Sequence, residues 1–417
     1  MSNNNHPKKI GLYISISIST LIIVLVLSIL KQLWFLTALP IGFLFGFFLQ
    51  KGDLCGASAF SEVLLLKDWK KIWGIWVCIV AGMAGFALLD IFHLVELNPK
   101  PFIWLNFIVG GIVFGVGMVL AGGCVSGCLY KSGTGNLNSM IALLGIALGI
   151  ASVEYGPLQN FYLKIKTFVV PSAEGNAITL GSLAGFPYWL LALLFVLLTL
   201  IAAFIFKKRS SSSDEKSGGS FKGLLTARTW KPWKVGLLIG ILGSLAYLSS
   251  ASSGRNYPLG VTHGVLHIQN LITDNNLQHV YQRSNPPQNI TKLKQQVTKK
   301  AKELNLPKKK VSWWLILLVT GLIAGSWISG RLSGTARLQE KPPAQVITAF
   351  IGGLLVGIGA AIARGCVVGN IFSGWALMSV GTILFGIAVI LTNWLTTYFY
   401  LMGGTVLGLF TKSRNSK

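Results

Sequence analysis

Ala121 to Tyr130 reads AGGCVSGCLY, and Ala363 to Asn370 reads ARGCVVGN. Each holds a Gly-Cys pair with a further glycine three residues past the cysteine: Gly123-Cys124 with Gly127, and Gly365-Cys366 with Gly369. Each directly follows an apolar run, 103–121 in the first case and 344–363 in the second. Glycine permits close backbone approach and unusual dihedrals. At membrane depth, irregular backbone survives only where protein or a water-filled cavity surrounds it. Small residues also let helices pack closely, and cysteine is a small hydrophobe, so one such motif alone fits packing equally well. A pair in matching places points to a solute path.

The surrounding composition makes membrane depth the right setting. Of 417 residues, 52% are hydrophobic and 12% charged, against about a quarter charged in a typical soluble protein, and the mean hydropathy is +0.63. A spanning helix needs about 20 mostly apolar residues. Apolar runs at 10–30, 33–50, 72–92, 103–121, 137–151, 186–206, 233–250, 312–332, 344–363 and 377–395 give ten candidate spans. The runs 33–50 and 137–151 are short, and are expected to be tilted, broken or extended by their neighbours. Lys8 and Lys9 precede the first run, which is too long for a signal-peptide core and has no small-residue cleavage site, so it is read as a retained span. The fold class is all-α: a polytopic helical membrane protein.

The charged, Ser/Gly-rich stretch 207–222 (KKRSSSSDEKSGGSFK) cannot bury a core. It divides the chain into an N-terminal half, 1–206, with an extra first span and a first repeat, a flexible cytoplasmic linker, 207–232, and a C-terminal half, 233–417, with a second repeat and a Lys-rich loop at 274–310. Each half carries two Gly-rich breaks in the same order. They are QKGDLCGASAF (50–60) and LAGGCVSGCLYKSGTGN (120–136), then SGRNYPLGVTHG (253–264) and ARGCVVGNIFSG (363–374). Such repetition marks transporters built from two related halves. With the N terminus inside, the Lys/Arg-rich short loops fall in the cytoplasm, the leading spans of the halves run in opposite directions, and the repeats are inverted. Thr291 to Lys310 carries eight lysines yet falls outside in this scheme; long loops obey the bias poorly. The alternative is that 257–272 also crosses.

The chain carries 36 Lys and Arg against 12 Asp and Glu, a net charge of +24. In a membrane protein this excess meets anionic lipid headgroups or an anionic solute; nucleic acid is set aside for want of a recognition module. No GxxxxGK[ST] loop occurs, so ATP hydrolysis by this chain is not expected, nor is any cofactor. Five cysteines are too few for a disulfide scaffold. A closed metal site needs four ligands, and Cys124 and Cys128 form just one close cysteine pair, so no metal is expected. Cys78, inside WVCIVAG, is read as core packing. Charges at membrane depth are costly and usually functional. Arg255 and Arg364 open the two breaks of the second half and are candidates to draw an anion inward, with Asp53, Glu62 and Asp90 as alternative ion-pair partners. Short helices after the breaks, 56–66 and 370–378, are expected to point their positive N-terminal ends at the solute.

On the breaks Lys51-Gly52-Asp53-Leu54-Cys55, Ala121-Gly122-Gly123-Cys124, Gly254-Arg255 with Gly260-Val261-Thr262, and Arg364-Gly365-Cys366, the sequence resembles the YeeE/YedE family of sulfur-transport membrane proteins. The resemblance covers about 33–152 and 233–395. It implies a multi-pass permease of the bacterial plasma (inner) membrane, not an enzyme, importing a small sulfur-containing anion, most simply thiosulfate. Carried over, Cys55, Cys124 and Cys366 are the thiols of a relay lining the path, flanked by Gly123, Gly365, Arg255 and Arg364. A cytoplasmic sulfur-accepting protein is a possible partner. A selenium or other sulfur species is the alternative cargo, and a membrane thiol oxidoreductase the alternative class, although the chain has no CxxC pair.

Overall fold

The computed structural model describes residues 6–170, 177–209, 227, 229–275, 277–281, 309–339 and 342–400. Most of the linker 207–222, most of the Lys-rich stretch 291–310 and the tail after Thr411 lie outside them. Helices dominate; the described strands, Gln278–Val280 and Lys310–Ser312, form one short parallel pair. Nine helical segments among the described residues are long and apolar enough to cross a membrane. The first helix, α1 (His6–Leu30), adds a shorter apolar stretch, Ser19–Leu30. The protein is an all-α, multi-pass membrane protein.

The first half continues with α2 (Ala38–Gly52), α3 (Gly56–Leu66), α4 (Lys70–Ile91), α5 (Trp104–Leu120), α6 (Val125–Gly133) and α7 (Leu137–Glu154). Short helices α8 (Gln159–Lys166) and α9 (Leu180–Ala184) lead to α10 (Tyr188–Arg209), whose leucines, Leu193, Leu194, Leu197 and Leu198 among them, face outward, as a lipid-facing span requires. The second half holds α11 (Pro232–Ser252), α12 (Thr262–Thr273), α13 (Trp313–Leu332), α14 (Pro343–Ile362), a π-helix (Val368–Trp375) and α15 (Val380–Tyr400). The crossing considered for 257–272 is replaced by α12. Its 12 residues reach about 18 Å, short of a hydrocarbon core of about 30 Å.

The main packing partnerships between the repeated helices have counterparts when the halves are exchanged. Helix α2 packs on α13 as α11 packs on α4, α5 packs on α15 as α14 packs on α7, and α3 meets α15 as α12 meets α7. The pairs α2–α11 and α5–α14 join the halves directly. Close approach explains the glycine content. A Cβ at Gly42 or Gly46 would collide with the carbonyl oxygens of Leu318 and Leu322, and one at Gly325 with that of Phe43. In lipid, where apolar burial no longer favours one helix over another, such backbone contact is the main source of association.

All four breaks open in the same way. A residue in left-handed conformation ends each helix, Asp53 (φ 44°) directly after it and Gly122 (67°), Gly254 (75°) and Arg364 (56°) one residue further on. The next amide donates back across five residues, Leu54 to Leu49, Gly123 to Met118, Arg255 to Ser250 and Gly365 to Ala360. This is the Schellman arrangement that ends a helix while satisfying its last carbonyls. In three breaks the chain re-enters a helix two residues after the left-handed position, at a cysteine. The carbonyls of Cys55, Cys124 and Cys366 accept from Ala59 (2.9 Å), Cys128 (2.8 Å) and Asn370 (2.8 Å) respectively. The helix expected at 370–378 therefore starts earlier, because helical bonding begins at the Cys366 carbonyl, and it continues as wide π-turns. In the fourth break a longer loop precedes the restart and Val261 stands where the others have cysteine.

Candidate functional site

Placing a cysteine at the start of each short helix leaves its thiol beside first-turn amides that have no intrahelical acceptor. Neither the Cys55 nor the Cys124 side chain caps its own helix. Instead the two sulfurs face each other at 3.8 Å, and Cys124 Sγ lies 3.3 Å from Ser126 Oγ. The third break joins them through the Val367 side chain, which lies against the backbone of Gly56. A Cβ on Gly127 would collide with Cys55 Sγ, and one on Gly56 would lie 2.9 Å from Val367, the residue after Cys366. Three segments far apart in sequence thus converge at their thiol-bearing ends. All five cysteines are free and buried. Cys78 sits in the body of α4, in the core. Cys128 Sγ turns to the Gly123 carbonyl at 3.7 Å.

Two charged clusters flank this centre. Helix α4, 22 residues and about 33 Å long, separates them. At its start Lys71 bridges Asp53 and Glu62, each at 2.5 Å, and the Tyr130 hydroxyl donates to Asp53 (2.6 Å). Neither acid reaches the arginines, which corrects the pairing considered from sequence: both are held on the opposite face from Arg255 and Arg364. Lys51 is buried and donates to the Ala227 carbonyl at 2.8 Å. Lys131 donates to the Gly122 carbonyl at 2.8 Å.

Beyond the far end of α4, Lys100 donates to the Arg364 carbonyl (2.7 Å) and to Asn370 Oδ1 (2.6 Å), with its ammonium 5.0 Å from the centre of the Tyr257 ring. Burial, reinforced by the Arg364 guanidinium, pushes Lys100 well below the ordinary lysine range. Asn370 in turn donates to the Ala363 and Gly365 carbonyls, and Tyr257 to the Gly369 carbonyl (2.6 Å), so the Cys366 break is laced on every side. Arg255 folds onto its own loop, donating to the Pro258 carbonyl (3.0 Å), and its guanidinium lies 4.8 Å from the Trp314 ring. Among the described residues, Nη1 of Arg364 is buried without a hydrogen-bond partner.

The sequence-derived residues therefore fall into two adjoining groups. Cys55 and Cys124 meet directly beside Gly123, and the Cys366 break, with Gly365 and Arg364, adjoins them where Val367 meets Gly56, while Tyr257 ties Arg255 to that break. Lys100, Asn370, Tyr257 and Lys131 were missed. The signal for Lys100 was available: NPKP (98–101) sets one lysine between prolines in a short loop joining two apolar runs.

Discontinuous helices that bring buried polar breaks together between two sets of exchanged packing partners are the construction of a membrane transport protein. The chain belongs to the sulphur transport family, whose model matches residues 51–395. Among curated proteins it is 32% identical over 371 residues to "Thiosulfate transporter TsuA" of Spirochaeta thermophila, covering 86% of this chain and 96% of that protein. It is 26% identical over 370 residues to "Thiosulfate transporter TsuA" of Escherichia coli, covering 86% and 94%. A shorter match, 32% over 121 residues and 28% of this chain, links it to "Probable transporter YedE" of Escherichia coli.

Proposed function

We propose that this protein is a permease importing thiosulfate across the bacterial inner membrane, along a path lined by Cys55, Cys124 and Cys366. The observation that carries the reading is the convergence of three thiol-bearing helix starts, with the sulfurs of Cys55 and Cys124 at 3.8 Å. A neutral thiol is a weak S–H donor, and conduction needs sites weak enough to release what they bind. Thiosulfate offers a soft terminal sulfur and spread negative charge, which suit a buried thiol better than a fixed row of cations would. Arg255 and Arg364 draw the anion toward Cys366, and Gly123 and Gly365 leave the backbone room for its passage. The matched packing supports two halves, 1–206 and 233–417, each carrying one of two inverted repeats related through the path. The Lys/Arg bias of the short loops supports a cytoplasmic face at the Asp53–Lys71 cluster, where a sulfur-accepting protein receives the ion.

The test is accumulation of radiolabelled thiosulfate by cells in which this protein is the one available route. Uptake that appears with expression and is absent without it is the expected result. Equal accumulation in both removes the proposal.

A further inference from the structure

The two Gly-Cys breaks share a feature that neither motif spells out. The left-handed residue of each, Gly122 in one and Arg364 in the other, offers its carbonyl to a lysine ammonium, Lys131 at 2.8 Å and Lys100 at 2.7 Å. The lysines do not occupy equivalent places in the two halves. Lys131 lies seven residues past Cys124 in the same segment, whereas Lys100 arrives from the loop before α5. Among the described residues neither has a carboxylate within ion-pair distance, although Asp53 and Glu62 are engaged by Lys71 nearby. Lys100 also stands against the motif itself: a Cβ on Gly365 would lie 2.8 Å from its Nζ, and one on Gly369 4.0 Å. Its other neighbours are the Tyr257 ring, Asn370 and the guanidinium of Arg364, which itself has a buried Nη1 unpartnered among the described residues.

The half-buried Lys100 ammonium, held by the Arg364 carbonyl and the Asn370 amide oxygen, is satisfied as a donor but not as a charge, whereas Lys131 stands within the field of Asp53 and holds one carbonyl. Removing a charge from water without a counter-charge is costly, and a neutral thiol cannot supply one to a dianion. We propose that Lys100 and Lys131 bind the transported anion at the two ends of the path, each exchanging its grip on the break carbonyl for the anion's oxygens. The four-carbon stem of lysine allows the swing, and the compact ammonium releases its ligand more readily than a bidentate arginine fork. Lys100 takes the anion up beside Cys366, and Lys131 meets it beside Cys124. The pair also sets a charge requirement, because a neutral sulfur species of similar size gains nothing from displacing the carbonyls. Burial and the Arg364 guanidinium disfavour the charged form of Lys100, and a bound anion favours it.

This inference rests on the thiosulfate reading above, and the experiment separates the two. Full-length wild-type protein and the Lys100→Gln, Lys100→Arg and Lys131→Gln variants are reconstituted in lipid vesicles at matched, monodisperse levels, and initial rates of labelled thiosulfate uptake are measured against concentration. Glutamine keeps an N–H donor for the break carbonyl and removes the charge. Lys100→Gln is expected to raise KM by about tenfold or more, the loss typical of one charged hydrogen bond, and Lys100→Arg to recover most of that affinity. Lys131→Gln is expected to lower the maximal rate. A Lys100→Gln KM equal to wild type overturns the proposal. So does an equal defect in Lys100→Gln and Lys100→Arg, because the residue would then act through shape rather than charge. Lys131→Gln with both constants unchanged removes the exit lysine and with it the paired arrangement. Absence of uptake by the wild-type protein instead counts against thiosulfate as the cargo.

Discussion

Cys124→Ala is expected to abolish thiosulfate uptake, while Cys78→Ala transports at the wild-type rate. The two cysteines are alike in composition and burial, and differ in where the chain puts them. Cys78 lies mid-helix in α4, with its sulfur in the core. Cys124 begins α6, faces Cys55 across 3.8 Å and contacts Ser126, so its loss removes the central member of the converged thiols. Initial uptake of labelled thiosulfate, normalised to protein in the membrane, separates them. Equal transport by both variants would make the Gly-Cys breaks packing devices and end the relay.

Gly127→Ala is expected to stop uptake while leaving the protein folded. The added Cβ falls against Cys55 Sγ, so the sulfur must leave its place opposite Cys124 or α6 must shift. Overpacking of this size costs about 1–3 kcal/mol, which a helical bundle of this extent tolerates. The effect should therefore appear in transport and not in yield. The measurement pairs uptake with size-exclusion behaviour in detergent. Normal uptake would mean that the register between Cys55 and the second break is unimportant to the path.

Much of the fold is legible because the membrane imposes strong rules. Runs of about 20 apolar residues have few alternatives to spanning helices, and the two Gly-Cys motifs mark where those helices stop. The short helix at 56–66 follows from Gly56 and the apolar run after it, and agrees with α3. Less was legible wherever the answer depends on which break meets which. Nothing in KGDLC and GGCVSGC states that Cys55 and Cys124 stand 3.8 Å apart, because the contact is made through Gly127, which reads locally as one more small residue. Cys55 in particular shows no disulfide or thiol partner in sequence, and acquires one in three dimensions. The acids misled for a related reason: Asp53 and Glu62 look available to any cation, but Lys71, on the next helix, reaches both. NPKP marks Lys100 as unusual but not where it goes, because its setting is made by Tyr257, Asn370 and Arg364 from the other half.

The approach of Cys55 to Cys124 also favours one rival mechanism, a thiol oxidoreductase in which that pair cycles through a disulfide. A bonded pair needs the sulfurs at about 2.0 Å, so each cycle would close and reopen the gap, with an external oxidant accepting the electrons. A thiol path needs no such change, since each S–H acts as a donor and remains reduced. The decisive measurement is uptake of labelled thiosulfate by vesicles containing the wild-type protein, with and without a membrane-permeant reductant. The thiol path predicts the same uptake under both conditions. Uptake abolished by the reductant would contradict it and make the Cys55–Cys124 pair a redox centre.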